Sequence, residues 1–445
     1  MLSIFTKLKR NIKSSRLKNR KSKTKIFSSK HSSSGKVEKG NKSILLKISV
    51  IIVLVVGIFV WFGYSIYKFI CSNFELAYRD KQMEQIYNWR GEGRLNILLL
   101  GLDKRDGEYG FVDAVLLVML DPVENSIGIF NINTDTTVYI SKYNRNVKIK
   151  NLYNYGILEA DEVPVKLFVD NVENLVSIKI NKYVIVDEEG LVSISEALGG
   201  IYVHNGSDLE DVDIKTSSGS YKLSSGSYRL KGDDFLHFVR ADDDGLDAKF
   251  IRQNEGMESL LKRLSGYMIV IKGPMLLDAL TSNIKTNLTK NEMIRIVYEI
   301  SKFKEVRTAY MSENVMEAVK TDNDISYYPI YDYLDQEIQK VFVDNLVGKE
   351  QARVEIFNST SIKGLAAFRA RWLRNIGIDV IRVGDCSDEF EKTTIFTREE
   401  KKYNNTIEAV KKSFSEETII KEGELPSWVC TGDVIIVLGS NIVTE

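Results

Sequence analysis

The chain has 445 residues, 44% of them hydrophobic and 27% charged, with 61 basic against 61 acidic side chains. That length leaves room for about three units of ~150 residues, and the apolar content excludes a wholly disordered protein. Three cysteines (Cys71, Cys386 and Cys430) exclude a disulfide-dense scaffold and a four-cysteine zinc site, and three histidines leave little for histidine chemistry.

The zero net charge hides an asymmetry. Residues 1–47 carry fifteen Lys or Arg and one acid, Glu38, a net +14, so residues 48–445 carry −14. From Ile48 to Tyr67 run twenty residues without a formal charge, bracketed by Lys47 and Lys68. As a helix at ~1.5 Å per residue they span about 30 Å, the hydrocarbon thickness of a bilayer. Trp61, Tyr64 and Tyr67 cluster at one end, as interfacial aromatics do. A cleaved signal peptide would have a shorter apolar stretch and a much shorter basic region. Residues 48–68 are therefore expected to form a single transmembrane helix. The basic excess places the disordered tail 1–47 in the cytoplasm and the remainder outside the cell membrane. The tail has almost no interleaved aromatics for base stacking, so its charge is read as attraction to anionic lipid and no nucleic-acid partner is expected.

Residues 69–94 read as a polar helical stalk. NILLLG from Asn96 is a continuous apolar run suited to a buried strand. A second run, Ala114 to Leu120, ends at the turn pair Asp121–Pro122, and Ser126 to Ile132 completes a hairpin with it. Val165, Phe168, Val169, Val172 and Leu175 share one face of a helix that begins just after Pro164. A strand from Tyr183 follows, then a helix around Leu191 to Leu198 stopped by Gly199–Gly200. This alternation predicts a layered α/β domain over 95–310 with a mixed central sheet. Residues 205–230, rich in Ser, Gly and Asp, read as an excursion at its rim. A helix resumes near Phe250 and turns Met257, Leu260, Leu261 and Leu264 inward, and 268–310 supply a further apolar strand and helix. Residues 311–349 read as a polar linker. The last unit, 350–445, is a small α/β domain with strands at VEIFN, IDVIRVG and DVIIVLG and a helix from Gly364 closed at Gly377.

The usual catalytic signatures are absent: no Walker loop, no dinucleotide fingerprint, no nucleophile elbow, and no metal spacing among His31, His204 and His237. The acidic run Asp242–Asp244 puts Arg240 and Ile251 at the terminal ligand positions of an EF-hand loop, so it is not one. One pair stands out. Asp103 follows the first buried strand and Asp113 opens the second, ten residues later. If the strands are adjacent, both carboxylates reach one edge of the sheet and suit a Mg²⁺ holding phosphate oxygens. The alternative is ordinary, since Asp is common at strand ends and usually solvated. Arg105, Lys148, Arg240, Lys249 and Arg252 are candidate phosphate cations, although single Lys and Arg are more often surface charges.

The order of NILLLGLDKR, VDAVLLVMLDP, KIKNLYNYG, NKYVIVDEEGLVSISEALGGI, LKGDDFLHFVR and RQN resembles the LytR–CpsA–Psr family. VEIFNSTSIKGLA and DVIIVLGS are similar to the C-terminal module often appended to it. The resemblance implies a bacterial membrane-anchored phosphotransferase that moves a glycopolymer, such as teichoic acid or capsule, from a polyprenyl-pyrophosphate carrier to peptidoglycan. Its implied partners are the lipid-linked polymer, peptidoglycan and the membrane, and its implied cofactor is Mg²⁺. Residue by residue, Asp103 and Asp113 match the metal-binding aspartates. Arg240, Arg252, Gln253, Lys148 and Arg105 match polar and cationic positions around the pyrophosphate. Three family arginines are replaced, by Phe111, Thr134 and Asp242, and a fourth by Lys249. Each charge-assisted phosphate contact is worth about 1.5–3 kcal/mol, so the clamp is depleted. Two readings follow: a transferase with an altered site, or a non-catalytic relative that binds lipid-linked polymer or wall, or scaffolds the transferases. Whether Asp103, Asp113 and Arg240 share one cleft discriminates the shared premise.

The last domain shows no catalytic constellation. Leu365, Phe368, Trp372 and Ile376 are expected on the core face of its helix; Asn358, Ser359 and Thr360 would cap that helix or meet a glycan, and capping is the reading preferred. A Cys386–Cys430 disulfide is left open.

Overall fold

The computed structural model of the chain describes residues 89–103, 110–158, 164–216, 219–242, 245–265, 283–320, 325–414, 417–426 and 430–442, and single positions within 54–67, 276–280 and 428. The expected tail, residues 69–88 of the expected stalk, most of the expected transmembrane helix, and Arg105 lie outside these residues; residues 89–94 of that stalk are not helical, and Trp89 is buried against the first domain. Among the described residues no helix is long and apolar enough to cross a membrane.

β1 (Leu95–Asp103) and β2 (Phe111–Asp121) pair antiparallel, and β2 returns through a short turn into β3 (Ser126–Ile132). All seven residues of β3 are buried, because both faces of this sheet are covered. Alternate residues feed two different cores: Leu98, Leu100 and Leu102 one, Leu95 and Ile97 the other. A small hairpin, β4 (Thr137–Ile140) and β5 (Arg145–Lys148), leads into α1 (Ile149–Leu158) and α2 (Pro164–Val176). The proline of α2 occupies its first position, where its missing amide hydrogen leaves no intrahelical bond unmade. Val165, Phe168, Val169, Val172 and Leu175 enter the first core as the periodicity predicts.

β6 (Lys182–Asp187) lies parallel to β1, and α3 (Glu188–Ala197) follows it without a loop, capped by the Asp187 side chain accepting from the Gly190 amide at 2.9 Å. Gly199 and Gly200, at φ 73° and 96°, end the helical run. The expected rim excursion is ordered as two hairpins: β7 (Ile201–Asn205) with β10 (Gly226–Leu230), and β8 (Leu209–Thr216) with β9 (Gly219–Leu223). α4 (Asp233–Arg240) and α5 (Leu246–Ser265) precede β11 (Ile284–Thr286), α6 (Lys290–Ile300) and β12 (Glu305–Tyr310). The completed sheet is mixed, in the order β11-β6-β1-β2-β3-β12. The apolar segment expected as a strand from residue 268 lies outside the described residues.

Residues 311–349 are not a polar connection. They form a hairpin, β13 (Met316–Lys320) with β14 (Ile325–Pro329), then α7 (Tyr331–Phe342) and α8 (Asn345–Glu350). α7 buries Leu334, Ile338, Val341 and Phe342 in the first core, a helical spacing masked in the sequence by interleaved acids and tyrosines.

The second sheet carries β15 (Arg353–Asn358), α9 (Leu365–Asn375), β16 (Asp379–Asp385), β17 (Thr393–Thr397), α10 (Asn404–Phe414), β18 (Thr418–Glu422) and β19 (Val434–Leu438), in the strand order β16-β15-β19-β17-β18. Leu365 and Trp372 are buried as expected, but Phe368 is 38% exposed. Asn358, Ser359 and Thr360 do not cap α9. Asn358 accepts from the Thr360 amide and hydroxyl, and Ser359 donates to the Leu438 carbonyl, so they brace the loop, while Gly364 begins the helix without a side-chain cap. Cys386 and Cys430 are free thiols. Burial, with Glu355 nearby, pushes the Cys430 thiol up to about 11.

The two domains are fastened by α9. Arg371 grips both oxygens of Asp335 at 2.6–2.9 Å and donates to the Leu175 carbonyl at 2.8 Å; Asn375 donates to the Val176 carbonyl at 2.9 Å.

Candidate functional site

The site forms where four chain segments end at one edge of the mixed sheet. Gly101 pairs with Ala114 and Leu102 with Val112, so Asp113 is the extra residue of a β-bulge. A bulge bends its strand and re-aims a side chain, which here turns Asp113 toward the edge that Asp103 reaches. Because β6 pairs with β1 up to Leu102↔Asp187, the first residue of α3, Glu188, stands beside the same edge. α4 ends at Arg240, and the opening turns of α5 carry Lys249, Arg252 and Gln253 at helical neighbour spacing.

Arg240 joins these segments. Its Nη2 lies 2.9 Å from Asp103 Oδ2, its Nε 3.3 Å from Asp113 Oδ2, and its Nη1 contacts Glu188 Oε1. Lys249 Nζ lies 3.2 Å from Asp113 Oδ1 and 3.6 Å from Asp242 Oδ2. Lys249 is nearly buried at 10% exposure whereas Asp242 is 61% exposed, so Asp242 stands at the mouth of the cleft. Four acids thus surround two bases. The local deficit of two positive charges is partly offset by Arg252, which lies buried beneath and donates to the Ala241 carbonyl, fixing the backbone next to Arg240. Gln253 is also buried and accepts from Asn131 Nδ2 at 2.9 Å.

The cleft therefore brings together Asp103, Asp113, Arg240 and Lys249. Arg252 and Gln253 sit below it in bonds to protein, and Lys148 ends β5 opposite Thr137, beside the Thr134–Thr136 turn. In that turn Asp135 pairs with Lys150 at 2.6 Å and the Thr134 carbonyl accepts from the Lys150 amide. Phe111 lies directly across the strands from Asp103 and is 38% exposed, presenting a ring where a cation is expected. Glu188 was not legible as a site residue. Its only signal is its place as the first residue after a parallel strand, at the strand end where α/β sheets gather their ligands.

Two carboxylates facing one cation suit Mg²⁺, which is typically held by one or two carboxylates plus substrate phosphates. Among the described residues no group of three or more His, Cys, Asp or Glu side chains is placed to hold a metal. Behind the cleft, burial pushes the Tyr221 phenol well up, Asp234 adding to it and Arg252 opposing, so that hydroxyl stays a donor, 3.4 Å from the Asp234 carbonyl.

A groove of about 1600 Å³ lies elsewhere, at the far end of β1 and β2, between the first domain and α9–α10 of the second. None of the cleft residues lines it.

The model of the LytR_cpsA_psr family matches residues 65–345, which include every segment that builds the cleft. The chain belongs to this family. Residues 351–441 match a second model, the LytR cell envelope-related transcriptional attenuator. Among curated members, the chain is 28% identical over 266 residues to the polyisoprenyl-teichoic acid–peptidoglycan teichoic acid transferase TagU of Oceanobacillus iheyensis, covering 59% of this chain and 78% of that protein. TagU of Bacillus cereus is 29% identical, covering 52% and 75% respectively. Among solved structures, B. subtilis TagV is similar at 24% identity and TM-score 0.45, covering 55% of this chain and 94% of that one.

Proposed function

We propose that this LytR_cpsA_psr protein is a cell-envelope phosphotransferase that moves a teichoic-acid-type glycopolymer from a polyprenyl-pyrophosphate carrier to peptidoglycan. The observation that carries this reading is the convergence of Asp103, Asp113, Arg240 and Lys249 at one sheet edge. The TagU relatives, named for that transfer, support it. Cleaving a phosphoanhydride asks for positioning and charge neutralisation more than for a covalent nucleophile.

Asp103 and Asp113 would hold Mg²⁺, which supplies the positive charge that the acidic cleft lacks when a pyrophosphate enters. Arg240, fixed at the end of α4 by Arg252 beneath it, orients one phosphate. Lys249, buried behind Asp113, adds a second cation. Glu188 and Asp103 hold the Arg240 guanidinium at the edge rather than letting it swing to solvent. Phe111 offers an apolar ring beside the cleft, suited to an isoprenyl unit rather than to phosphate.

We place the protein at the cell membrane with residues 48–68 as a single span, residues 1–47 cytoplasmic, and both folded domains (95–310 extended through α8, and 350–445) outside. The uncharged stretch supports this, as do helical positions Leu54, Val60, Tyr64 and Tyr67, each more than 60% exposed. A second reading, a non-catalytic binder of lipid-linked polymer, is favoured by one observation: Asp242, an acid at a position where the family resemblance implies an arginine, stands at the mouth of the cleft 3.6 Å from Lys249.

The test uses the full chain in detergent with a polyprenyl pyrophosphate and Mg²⁺, following release of phosphate-bond products. Turnover abolished by Asp103→Ala supports the transferase. Lipid retention without turnover in the parent, with activity gained in Thr134→Arg, supports the binder.

A further inference from the structure

We infer that the groove between the two domains is a second binding site, for a glycan chain bearing spaced negative charges. At about 1600 Å³ it exceeds the ~300–1,000 Å³ of ordinary small-ligand pockets and suits an extended polymer. Its lining carries seven Lys or Arg against five Asp or Glu, a net +2, although residues 48–445 together sum to −14. A net positive lining on an otherwise acidic body favours an anionic ligand.

The acids in the groove are occupied. Asp121 and Asp344 face Arg94, Asp170 faces Lys166, Glu173 faces Lys179 and Glu408 faces Lys411. Lys363 and Lys412 are exposed and, among the described residues, have no acidic partner. Two ammonium groups are therefore left to meet an anion. Aromatic side chains line the same groove. Phe368 is 38%, Tyr331 48% and Tyr139 58% exposed, and Arg371 covers one face of Tyr331 at 4.2 Å. Exposed rings and unpaired cations in one groove suit a sugar chain with carboxylates or phosphates better than a purely apolar or purely anionic partner. In the wall of the groove, Trp372 Nε1 is buried without a hydrogen-bond partner.

The groove and the cleft lie at opposite ends of β1. The eight steps of this nine-residue strand, at ~3.3 Å each, separate them by about 26 Å. A chain held in the groove is thus bound several sugar units from the reacting phosphate, which gives the second domain a role in retaining a glycan strand. This inference rests on the envelope reading above but not on catalysis.

The experiment titrates the full chain in detergent with peptidoglycan glycan strands stripped of peptide, whose lactyl carboxylates recur along the chain. Neutral chitohexaose and polyglutamate of matched charge serve as comparisons. The strands are expected to bind at least tenfold more tightly than either comparison. The double variant Lys363→Glu/Lys412→Glu, at two exposed positions, is expected to lose at least tenfold in affinity, and Phe368→Ala several-fold. Asp103→Ala is expected to retain the strands, so failure of the cleft and failure of the groove are read separately. Equal affinity of the double variant and the parent, or equal binding of chitohexaose or polyglutamate, would overturn the proposal.

Discussion

Replacing Arg240 by Gln removes the one group that satisfies three carboxylates at once. In the parent, the guanidinium contacts Asp103, Asp113 and Glu188, whose side chains are 15%, 32% and 25% exposed. Breaking a fully buried ion pair costs about 3–5 kcal/mol because a charge is left uncompensated. Partial exposure admits solvent screening, so about 2–3 kcal/mol is the expected loss here. The deficit should be recoverable. A divalent ion at a hundred times its Kd stabilises the folded state by ~2.7 kcal/mol, and in Arg240→Gln it no longer competes with a guanidinium for the same oxygens. Thermal unfolding of the full chain in detergent, followed by tryptophan fluorescence in chelator and in saturating Mg²⁺, measures both effects. Arg240→Gln should unfold at lower temperature than the parent in chelator and gain more from Mg²⁺. Equal stability in chelator, or an equal Mg²⁺ shift in both proteins, refutes the idea that Arg240 stands where the metal binds.

Arg371→Ala should loosen the second domain from the first, by about 2–3 kcal/mol given its partly buried Asp335 partner, and speed limited proteolysis between residues 343 and 352; an unchanged rate would remove Arg371 from the interface. Gly128→Ala should cost about 1–3 kcal/mol in denaturant unfolding, since the added Cβ would fall 2.4 Å from Val341 Cγ1 of α7 and 3.1 Å from Met119 Cε. Glu355 is fully buried, yet the Thr431 amide and hydroxyl and the Gly432 amide bond it at 2.8–2.9 Å and outweigh that burial, holding its carboxyl below the usual range. Its folded value lies below the unfolded ~4.3, so its stabilisation is complete above that pH and fades as acid drops through the folded value. Glu355→Gln should therefore be less stable at neutral pH and lose part of the parent's acid sensitivity below about pH 4, checked by unfolding at a series of pH values.

Much of the fold was readable because long apolar runs leave few alternatives. β1, β2, β3 and β19 are such runs, and Pro164, Gly199–Gly200 and Gly377 punctuate the helices where the backbone requires it. Short or charge-laden elements were not readable. α4 has eight residues, too few to show a period, although Phe235, Leu236 and Phe238 are buried. In α10 the apolar Ile407, Val410 and Phe414 are hidden among lysines. Of the site, Asp103 and Asp113 stood out from their places at the ends of neighbouring strands and Arg240 as a candidate phosphate cation, and the three do meet. The bulge that aims Asp113 did not stand out, because register depends on pairing across strands. Nor did the burial of Arg252 and Gln253, whose partners Ala241 and Asn131 are defined only by tertiary packing.

Arg94 stands just before β1, where the chain comes into the first domain. It bonds Asp121 at 2.8 Å, the carbonyls of Phe342 and Val343 at 2.7 and 2.9 Å, and lies 3.3 Å from Asp344. Phe342, Val343 and Asp344 are where the chain departs for the second domain, so its points of arrival and departure are stitched together by one side chain. If residues 48–68 anchor the chain and the groove holds a glycan strand, as proposed, tension between the two would pass through this clasp. Asp103 and Asp113 stand at the opposite ends of β1 and β2 from it. A growing, stretching envelope could then pull on the protein without shearing the sheet edge on which its chemistry depends.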